Sequence, residues 1–588
     1  MEQDMEKRKR GRSEESEEEK WVHDASVDYK GRIPLRAFTG VWKASLFILS
    51  IEFSERVSHF GIASNLITYL TKVIHEDLKT AAKNVNYWAG TTTLMPLIGG
   101  FVADAYTGRF AMVLFSSLVY IMGLSLLTMT QFIPNLKPCN SKICHRPRKV
   151  HEVVFFLALY SISLGAGGYR PCLESFGADQ FDDDHLQERK KKMSFFNWWS
   201  FALCFSMLIG STMVVYVQDF VSWGVACLIL TVFMALTIIA FYLGKPFYRY
   251  RKPEGNPFTL ILQVLIAAIR KRNLQYPSNP TLLFEVPNSD KSQGRLLSHT
   301  SRLRFLDKAA IVEEKHVEQK DNAWRLATVT RVEETKLIVS VVPIWLTSLM
   351  VGVCASQGST LFVKQAATMS LKISNNFEIP PASMVSVSAF GTLISVPIYD
   401  RIIVPNLRKV TGNERGINIL RRIGIGLALS VMVMVVAALV ETKRLRIAKG
   451  EIGQRTMSVF WLIPQYLILG IGDSFSLIGL QEYFYDQVPD SMRSLGMALY
   501  ASVIGMGHFL SNFLIIIVDH ITVKTSKSWI GKDINSSRLD RFYWMLGIIN
   551  GLNFCVFLFL AKRYTYKTLQ RKAIEIDGCN NDGGETMA

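Results

Sequence analysis

A chain of 588 residues that is 49% apolar, 11% aromatic and 20% charged is richer in apolar sequence than a soluble enzyme of that length. The net charge of +17 suggests nucleic acid at first sight, but the basic residues lie in short loops and one central segment, as beside an anionic membrane face, which argues against that partner. The apolar residues fall in blocks of about 18–25, long enough to cross a hydrocarbon core of ~30 Å at 1.5 Å per residue.

In chain order, Met1 to Lys43 is a charged arm broken by proline and glycine; no cleavable signal peptide is expected, and Ser13 to Lys20 reads as disordered. Six apolar spans follow, near Trp42–Leu70, Tyr87–Ala105, Phe110–Met129, Val153–Phe176, Phe195–Tyr216 and Trp223–Leu243. A polar stretch separates them from six more, near Leu337–Val363, Ala382–Val404, Ile417–Val440, Val459–Phe484, Leu495–Val518 and Phe542–Leu560. The expected architecture is an all-α membrane protein of twelve transmembrane helices in two six-helix bundles, the layout of an alternating-access carrier. Its parts are a cytosolic N-terminal arm (1–41), bundles over 42–244 and 335–561, a cytosolic linker (245–334) and a cytosolic tail (562–588).

The linker opens with Asn256-Pro257 as a helix start, then apolar Phe258 to Ile269, then Arg270, Lys271 and Arg272. Too short to span, this segment predicts an amphipathic helix along the membrane surface. An even number of spans puts both termini on one side. Lys245, Arg249, Arg251 and Lys252 share it with Arg401, Arg408, Lys409 and Arg415 and with Lys562, Arg563 and Lys567, so it is expected to be cytosolic. Lys443, Arg444, Arg446 and the loop holding Lys137, Lys142, Arg146 and Arg148 run against that rule. Cys139 and Cys144 share the latter loop, and a disulfide between them is left open; the cysteines inside spans read as small packing residues.

Charges inside spans carry the functional information, since each costs ~2.5–3.5 kcal/mol or more at the bilayer centre unless it meets a partner or a wet cavity. Glu52, Glu55 and Arg56 recur at spacings of three and four, on one helical face. Two carboxylates against one guanidinium leave an acid over, as a proton carrier needs; the competing reading is a structural ion pair. Arg170, after Gly165, Gly167, Gly168 and Tyr169, is expected to pair with that acid or with an anionic solute, the alternative being an interfacial arginine. Asp104, Gly108 and Arg109 after the second span, and Asp400 and Arg401 at the matching place after the eighth, read as a gate or as plain topology signals. Asp473, flanked by Gly470 and Gly472, and Glu482 nearer the span end read as solute or proton sites, Lys364 as an interfacial anchor, and Trp198 and Trp199 as packing.

Together with longer runs, these residues resemble a known family. Glu52-x-x-Glu55-Arg56, GAGGYRPCLESFGADQFD (Gly165–Asp182), FFNWW (Phe195–Trp199), EIPPASM (Glu378–Met384) and LIPQYLILGIGD (Leu462–Asp473) look like the plant nitrate/peptide transporter family, within the proton-coupled oligopeptide transporters of the major facilitator superfamily. The resemblance runs from about Trp21 to Tyr566, and GKPFYRYRKPEGNPFT (Gly244–Thr259) and WRLATVTRVEETK (Trp324–Lys336) look like its fifth subfamily. It implies proton-coupled symport, with Glu52, Glu55 and Arg56 in coupling and Arg170 where the family usually has a lysine. It sets Asp473 where peptide carriers have a glutamate for the peptide amino terminus. His59 and Phe60 replace a tyrosine pair of the peptide carriers. Ala355, followed by Ser356 and Gln357, stands where some nitrate carriers have a histidine. The expected solute-binding set is therefore His59, Phe60, Gln357, Asp473 and Glu482.

The expected function is secondary active transport of a small anionic or nitrogenous solute: nitrate, a di- or tripeptide, or an organic anion such as a hormone. The proton gradient drives it, with no cofactor, metal or enzymatic step. Proton-independent uniport and a solute sensor without flux are the competing readings. Expected partners are the solute, protons, the lipid bilayer and regulatory kinases acting on the arm or linker, in a plasma or vacuolar membrane. The Gly-Lys pairs at Gly244 and Gly531 lack the upstream glycine of a phosphate loop, which argues against ATP drive, and the scattered histidines argue against a membrane enzyme.

Overall fold

A computed structural model of the chain describes residues 20–22, 26–138, 148–182, 185–251, 257–275, 283–284, 299–312, 324–374, 377–411, 417–450, 456–488, 493–523, 529–531 and 534–564. Cys139, Cys144 and nearly all of the Ser13–Lys20 run lie outside these. The first helical set is α1 (Val41–Lys72), α2 (Leu78–Val102), α3 (Arg109–Phe132), α4 (Lys149–Ala178), α5 (Leu186–Ile209) and α6 (Trp223–Leu243). The linker holds α7 (Pro257–Arg270) and α8 (Arg304–Asp307). The second set is α9 (Val329–Ser359) continued by α10 (Leu361–Ala367), α11 (Val385–Ile398) leading into α12 (Val404–Thr411), then α13 (Ile419–Ala448), α14 (Ile463–Gln487), α15 (Arg493–Val523) and α16 (Leu539–Arg563). Each predicted span falls on one of these helical stretches. Among the described residues, ten stretches are long and apolar enough to cross a membrane. α1 and α2 fall short because α1 carries Glu52, Glu55 and Arg56 at its centre and α2 carries Lys79, Lys83, Asn84, Asn86 and four threonines.

Several helices outrun the apolar blocks that announced them. α2 starts at Leu78, before the predicted Tyr87, because Leu78, Ala81, Ala82 and Val85 are buried against neighbouring helices. α13 runs on past the predicted Val440 to Ala448, where Glu441 and Arg444 are buried as a pair bonded at 2.7 and 2.8 Å. Hydropathy marks the stretch that faces hydrocarbon, whereas backbone bonding and packing continue the helix beyond it. π-helical turns at Ala103–Thr107 and Tyr399–Ile403 end α2 and α11, the two matching places named as gates. Two more, Gly210–Val214 and Val217–Val221, extend α5.

The contacts divide the chain into two compact units. The larger comprises Met1–Asn256, Pro343–Tyr485 and Arg493–Arg563, and its buried core draws on both helical sets. Close helix approach decides its centre. A Cβ on Gly99 or Gly167 would strike the facing backbone, so α2 and α4 touch main chain to main chain; likewise Gly470 on α14 leaves no room between itself and the Ser388 carbonyl on α11. β1 (Lys372–Ser374) and β2 (Phe377–Glu378) form a short antiparallel hairpin before α11, pairing Lys372 with Glu378.

The arm is a folded strap over its described part. Val27 and Tyr250 exchange backbone hydrogen bonds at 2.9 Å, and Trp21 bridges to Leu35. Beneath it the fully buried Arg249 donates to Glu188 at 2.7 Å and to the Thr39 carbonyl at 3.0 Å, while Arg36 donates to Glu188 and Asp182 at 2.8 and 2.9 Å. Burial opposes ionisation of Glu188, but the Arg249 bond, the Asp182 amide and the charges of Arg249 and Arg36 together outweigh it and hold the carboxyl below the usual range.

The smaller unit contains Pro257–Val342, Asp486–Met492 and Tyr564–Ala588. The predicted amphipathic helix is α7, and its apolar face, Val264, Ala267 and Ala268, packs on Leu306, Ala309, Ala310 and Val332 of the same unit. His299, Asp307 and Glu333 converge there in metal-ligand fashion, but the Lys336 ammonium already sits between Asp307 and Glu333 at 2.6 and 2.7 Å.

Candidate functional site: a charged centre and a cross-bundle latch

The glycines of α4 bring Arg170 to α1. Gly165 meets Tyr120 on α3, Gly167 meets Met95 on α2, and Gly168 meets Ser116 on α3, each too close for a Cβ. Three residues beyond Gly167, Arg170 donates from Nη2 and Nε to Glu55 Oε1 at 2.9 and 3.3 Å. Arg56 Nε donates to Glu52 Oε1 at 2.7 Å and lies 3.5 Å from Glu55 Oε2. Glu52 and Glu55 are both 0% exposed, and Oε2 of each is sealed without a hydrogen-bond donor. Among the described residues, Arg56 Nη1 and Nη2 and Arg170 Nη1 make no hydrogen bond.

Two carboxylates against two guanidiniums form a balanced set. A third acid unbalances it. Glu174, one turn beyond Arg170, is partly buried, forms no hydrogen bond or ion pair among the described residues, and lies within electrostatic range of Glu52 and Arg56. It went unremarked in the sequence although it stands inside the quoted Gly165–Asp182 run at helical spacing from Arg170; that spacing was the available signal.

Asp473 on α14 is partly buried and also has no hydrogen-bond or ion-pair partner among the described residues. Tyr500 on α15 lies within electrostatic range of Asp473, Glu174 and Arg56, which ties the two helical sets to one centre. His59 is within the same range of Arg56, Arg170 and His508, with its ring against Trp88 at 5.6 Å and against Phe60 at 5.4 Å. Its Nδ1 is sealed without a partner. Gln357 is buried and donates to Ser511 on α15 at 3.1 Å.

The remaining named residues lie apart from this centre. Glu482 pairs with Arg422 at 3.6 Å, and Arg422 covers the Tyr399 ring. Arg109 is bonded to Asp179, which also faces Arg251 at 3.6 Å. Gly108 turns the chain at φ 78°, a left-handed conformation that suits glycine. Arg401 is exposed, and the side chains of Asp104 and Asp400 are outside the described set. Trp199 is buried against Phe195, whereas Trp198 is exposed.

A latch between the helical sets lies at the end of α1 away from the strap, where α1 turns into α2. Lys79 pairs with Asp519 at 2.7 Å. Lys364, read from sequence as an anchor, donates to the Thr71 hydroxyl at 2.6 Å. Asn512 on α15 donates to the Lys83 carbonyl at 2.9 Å, and Asn86 on α2 donates to Asn512 Oδ1 at 3.0 Å. In the same α1–α2 connection, burial pushes the Glu76 carboxyl up to about 7, with Asn84 donating against the shift and Asp77 and Glu152 adding to it. None of these pairs was legible in sequence, because Lys79 and Asp519 stand 440 residues apart.

A multi-pass helical bundle with buried charges at its centre and a polar latch between two helical sets has the construction of a membrane solute carrier. A profile described as the POT family (PTR2) matches residues 110–532. The chain is 58% identical over 557 residues to protein NRT1/PTR FAMILY 5.6 of Arabidopsis thaliana, covering 94% of this chain and 96% of the relative. It is 55% identical over 570 residues to protein NRT1/PTR FAMILY 5.7 of the same plant, covering 96% and 95%. The chain belongs to the POT family, in the NRT1/PTR branch whose fifth group its sequence resembles, and is an integral multi-pass membrane transporter, not an enzyme. The crystal structure of an auto-inhibited POT family peptide transporter superposes with a TM-score of 0.67 at 19% identity, covering 90% of this chain and 99% of the other. That of the POT family transporter PepTSo gives 0.65 at 19% identity, covering 89% and 98%.

Proposed function

We propose that this protein is a proton-coupled symporter that works by alternating access, with its termini in the cytosol and its site in a plasma or vacuolar membrane. The solute is small and anionic or nitrogenous, and the proton gradient is the driving force. The observation that carries this reading is the pair of sealed carboxylate oxygens, Glu52 Oε2 and Glu55 Oε2, beside two guanidiniums. A buried oxygen that no donor satisfies offers a proton a binding atom at low cost in rearrangement.

Proton arrival on Glu55 weakens its hold on Arg170 and leaves that guanidinium available to the negative end of a solute. The open N–H groups of Arg56 and Arg170 support an anionic end. Asp473, without a partner on the facing helical set, supports a cationic or donor end. Release of Lys79 from Asp519 and of Lys364 from Thr71 is the step that opens the latched side. Kinase action on the arm or linker is a compatible layer of control.

The test is uptake into proteoliposomes of nitrate, di- and tripeptides, and organic anions under an imposed inward proton gradient. Accumulation above the external level that collapses with a protonophore supports symport. Equilibrating uptake that ignores the protonophore leaves uniport, and saturable binding without flux leaves a sensor.

A further inference from the structure

His508 on α15 is a residue the proposed cycle does not use, yet its chemistry is fixed by the structure around it. A backbone carbonyl can only accept. Lys83 O takes a bond of 2.9 Å from Asn512, so the atom of Asn512 facing it is the amide nitrogen. The other end of that amide is then the oxygen, and it faces Asn86 at 3.0 Å, so Asn86 presents nitrogen there. Asn86 Oδ1 in turn faces His508 Nδ1 at 3.1 Å, so Nδ1 carries the proton. The relay leaves His508 Nε2 as the bare nitrogen. Among the described residues Nε2 makes no hydrogen bond, and it is not one of the sealed polar atoms of the interior.

The ring is 7% exposed and lies within electrostatic range of His59, which shares that range with Arg56 and Arg170. Within the described residues no carboxylate is bonded to the ring. Buried, with its Nδ1–H given to an amide oxygen and no carboxylate to hold a second proton, the ring is supported by the site in its neutral form. Its lone pair repels an oxyanion and accepts from an N–H or O–H group.

We infer that His508 selects the solute, through its bare Nε2, for an organic anion that bears an N–H or O–H donor beside its negative charge, and discriminates against nitrate. The inference rests on the transport reading above for the existence of a solute site. The donor meets His508 while the negative charge meets the open N–H groups of Arg56 and Arg170. The same relay that fixes the ring also joins α2 to α15, so a solute seated on His508 touches the latch directly.

The experiment compares N-acetylglycine, N-acetylsarcosine and nitrate as stabilisers of the purified full-length protein in a thermal-unfolding titration. The first two differ in that a methyl group replaces the amide hydrogen, which removes the donor, and nitrate has no donor. N-acetylglycine is expected to bind about tenfold more tightly than N-acetylsarcosine, the worth of one neutral hydrogen bond in a buried site. His508→Leu is expected to erase that ratio, and His508→Gln, which keeps an acceptor, to retain part of it. A merely structural role for His508 would shift the unfolding midpoint without changing the ratio. Equal binding of the two acids, preference for nitrate, or no response to N-acetylglycine overturns the inference. Should nitrate bind and accumulate under a proton gradient, the inference falls and symport stands. Should N-acetylglycine bind without any flux, the inference stands and symport falls.

Discussion

Replacing Glu55 by glutamine removes one charge from a balanced set of four while keeping the side-chain shape. In the native centre Arg170 reaches Glu55 Oε1 at 2.9 and 3.3 Å, and Arg56 Nε lies 3.5 Å from Oε2. The glutamine carbonyl can still accept from Arg170, but its amide group then faces Arg56, donor against donor. Breaking a buried pair by removing one partner costs about 3–5 kcal/mol. The retained neutral bond offsets about 0.5–1.5 kcal/mol of that, for a net destabilisation of about 2–4 kcal/mol. The functional loss is separate. One proton per solute across one pH unit supplies about 1.4 kcal/mol, or tenfold accumulation, and a side chain that cannot titrate supplies none. In proteoliposomes the variant is therefore expected to show an accumulation ratio of about one under an inward proton gradient, with solute counterflow preserved. Thermal unfolding in parallel shows whether the protein remains folded at the assay temperature. Accumulation at the native level by Glu55→Gln would refute the proton role given to this carboxylate, whatever its stability.

At the latch, Asp519→Asn should weaken closure by about 0.5–1 kcal/mol, since the Lys79 pair is partly exposed, and so raise labelling of a cysteine placed at Lys83 about two- to fivefold; unchanged labelling would remove Lys79–Asp519 from the gate. Glu76 titrates near neutrality because burial raises it. A raised carboxyl contributes stability that is fully present below its unfolded value of about 4.3 and is lost as pH rises through about 7. Hydrogen exchange in residues 73–84 should therefore quicken between pH 5 and 8 beyond its intrinsic pH dependence, and Glu76→Gln should remove the excess. Gly470→Ala drives a methyl into the Ser388 carbonyl and should cost about 1–3 kcal/mol of stability by parting α14 from α11, read as a lower unfolding midpoint; a neutral result would mean the two helices have slack that the geometry denies.

What the sequence determined by itself is local. Block length announced the spans, because crossing a bilayer demands a run of apolar residues whatever the run packs against. Spacing put Glu52, Glu55 and Arg56 on one face, because the helical period alone decides that. Tertiary structure decided the partnerships. Arg170 lies 115 residues from Glu55, and it arrives there only because Gly165, Gly167 and Gly168 let α4 press against α2 and α3. Glu174 became the surplus acid once Arg170 had balanced the triplet. Lys364 became part of a latch once Thr71 stood opposite, and the proton on His508 was placed by two asparagines, one of them on another helix. A pattern along one helix constrains only that helix. Which buried charge is paired, and which nitrogen is bare, depends on side chains that meet only when the helical sets pack together.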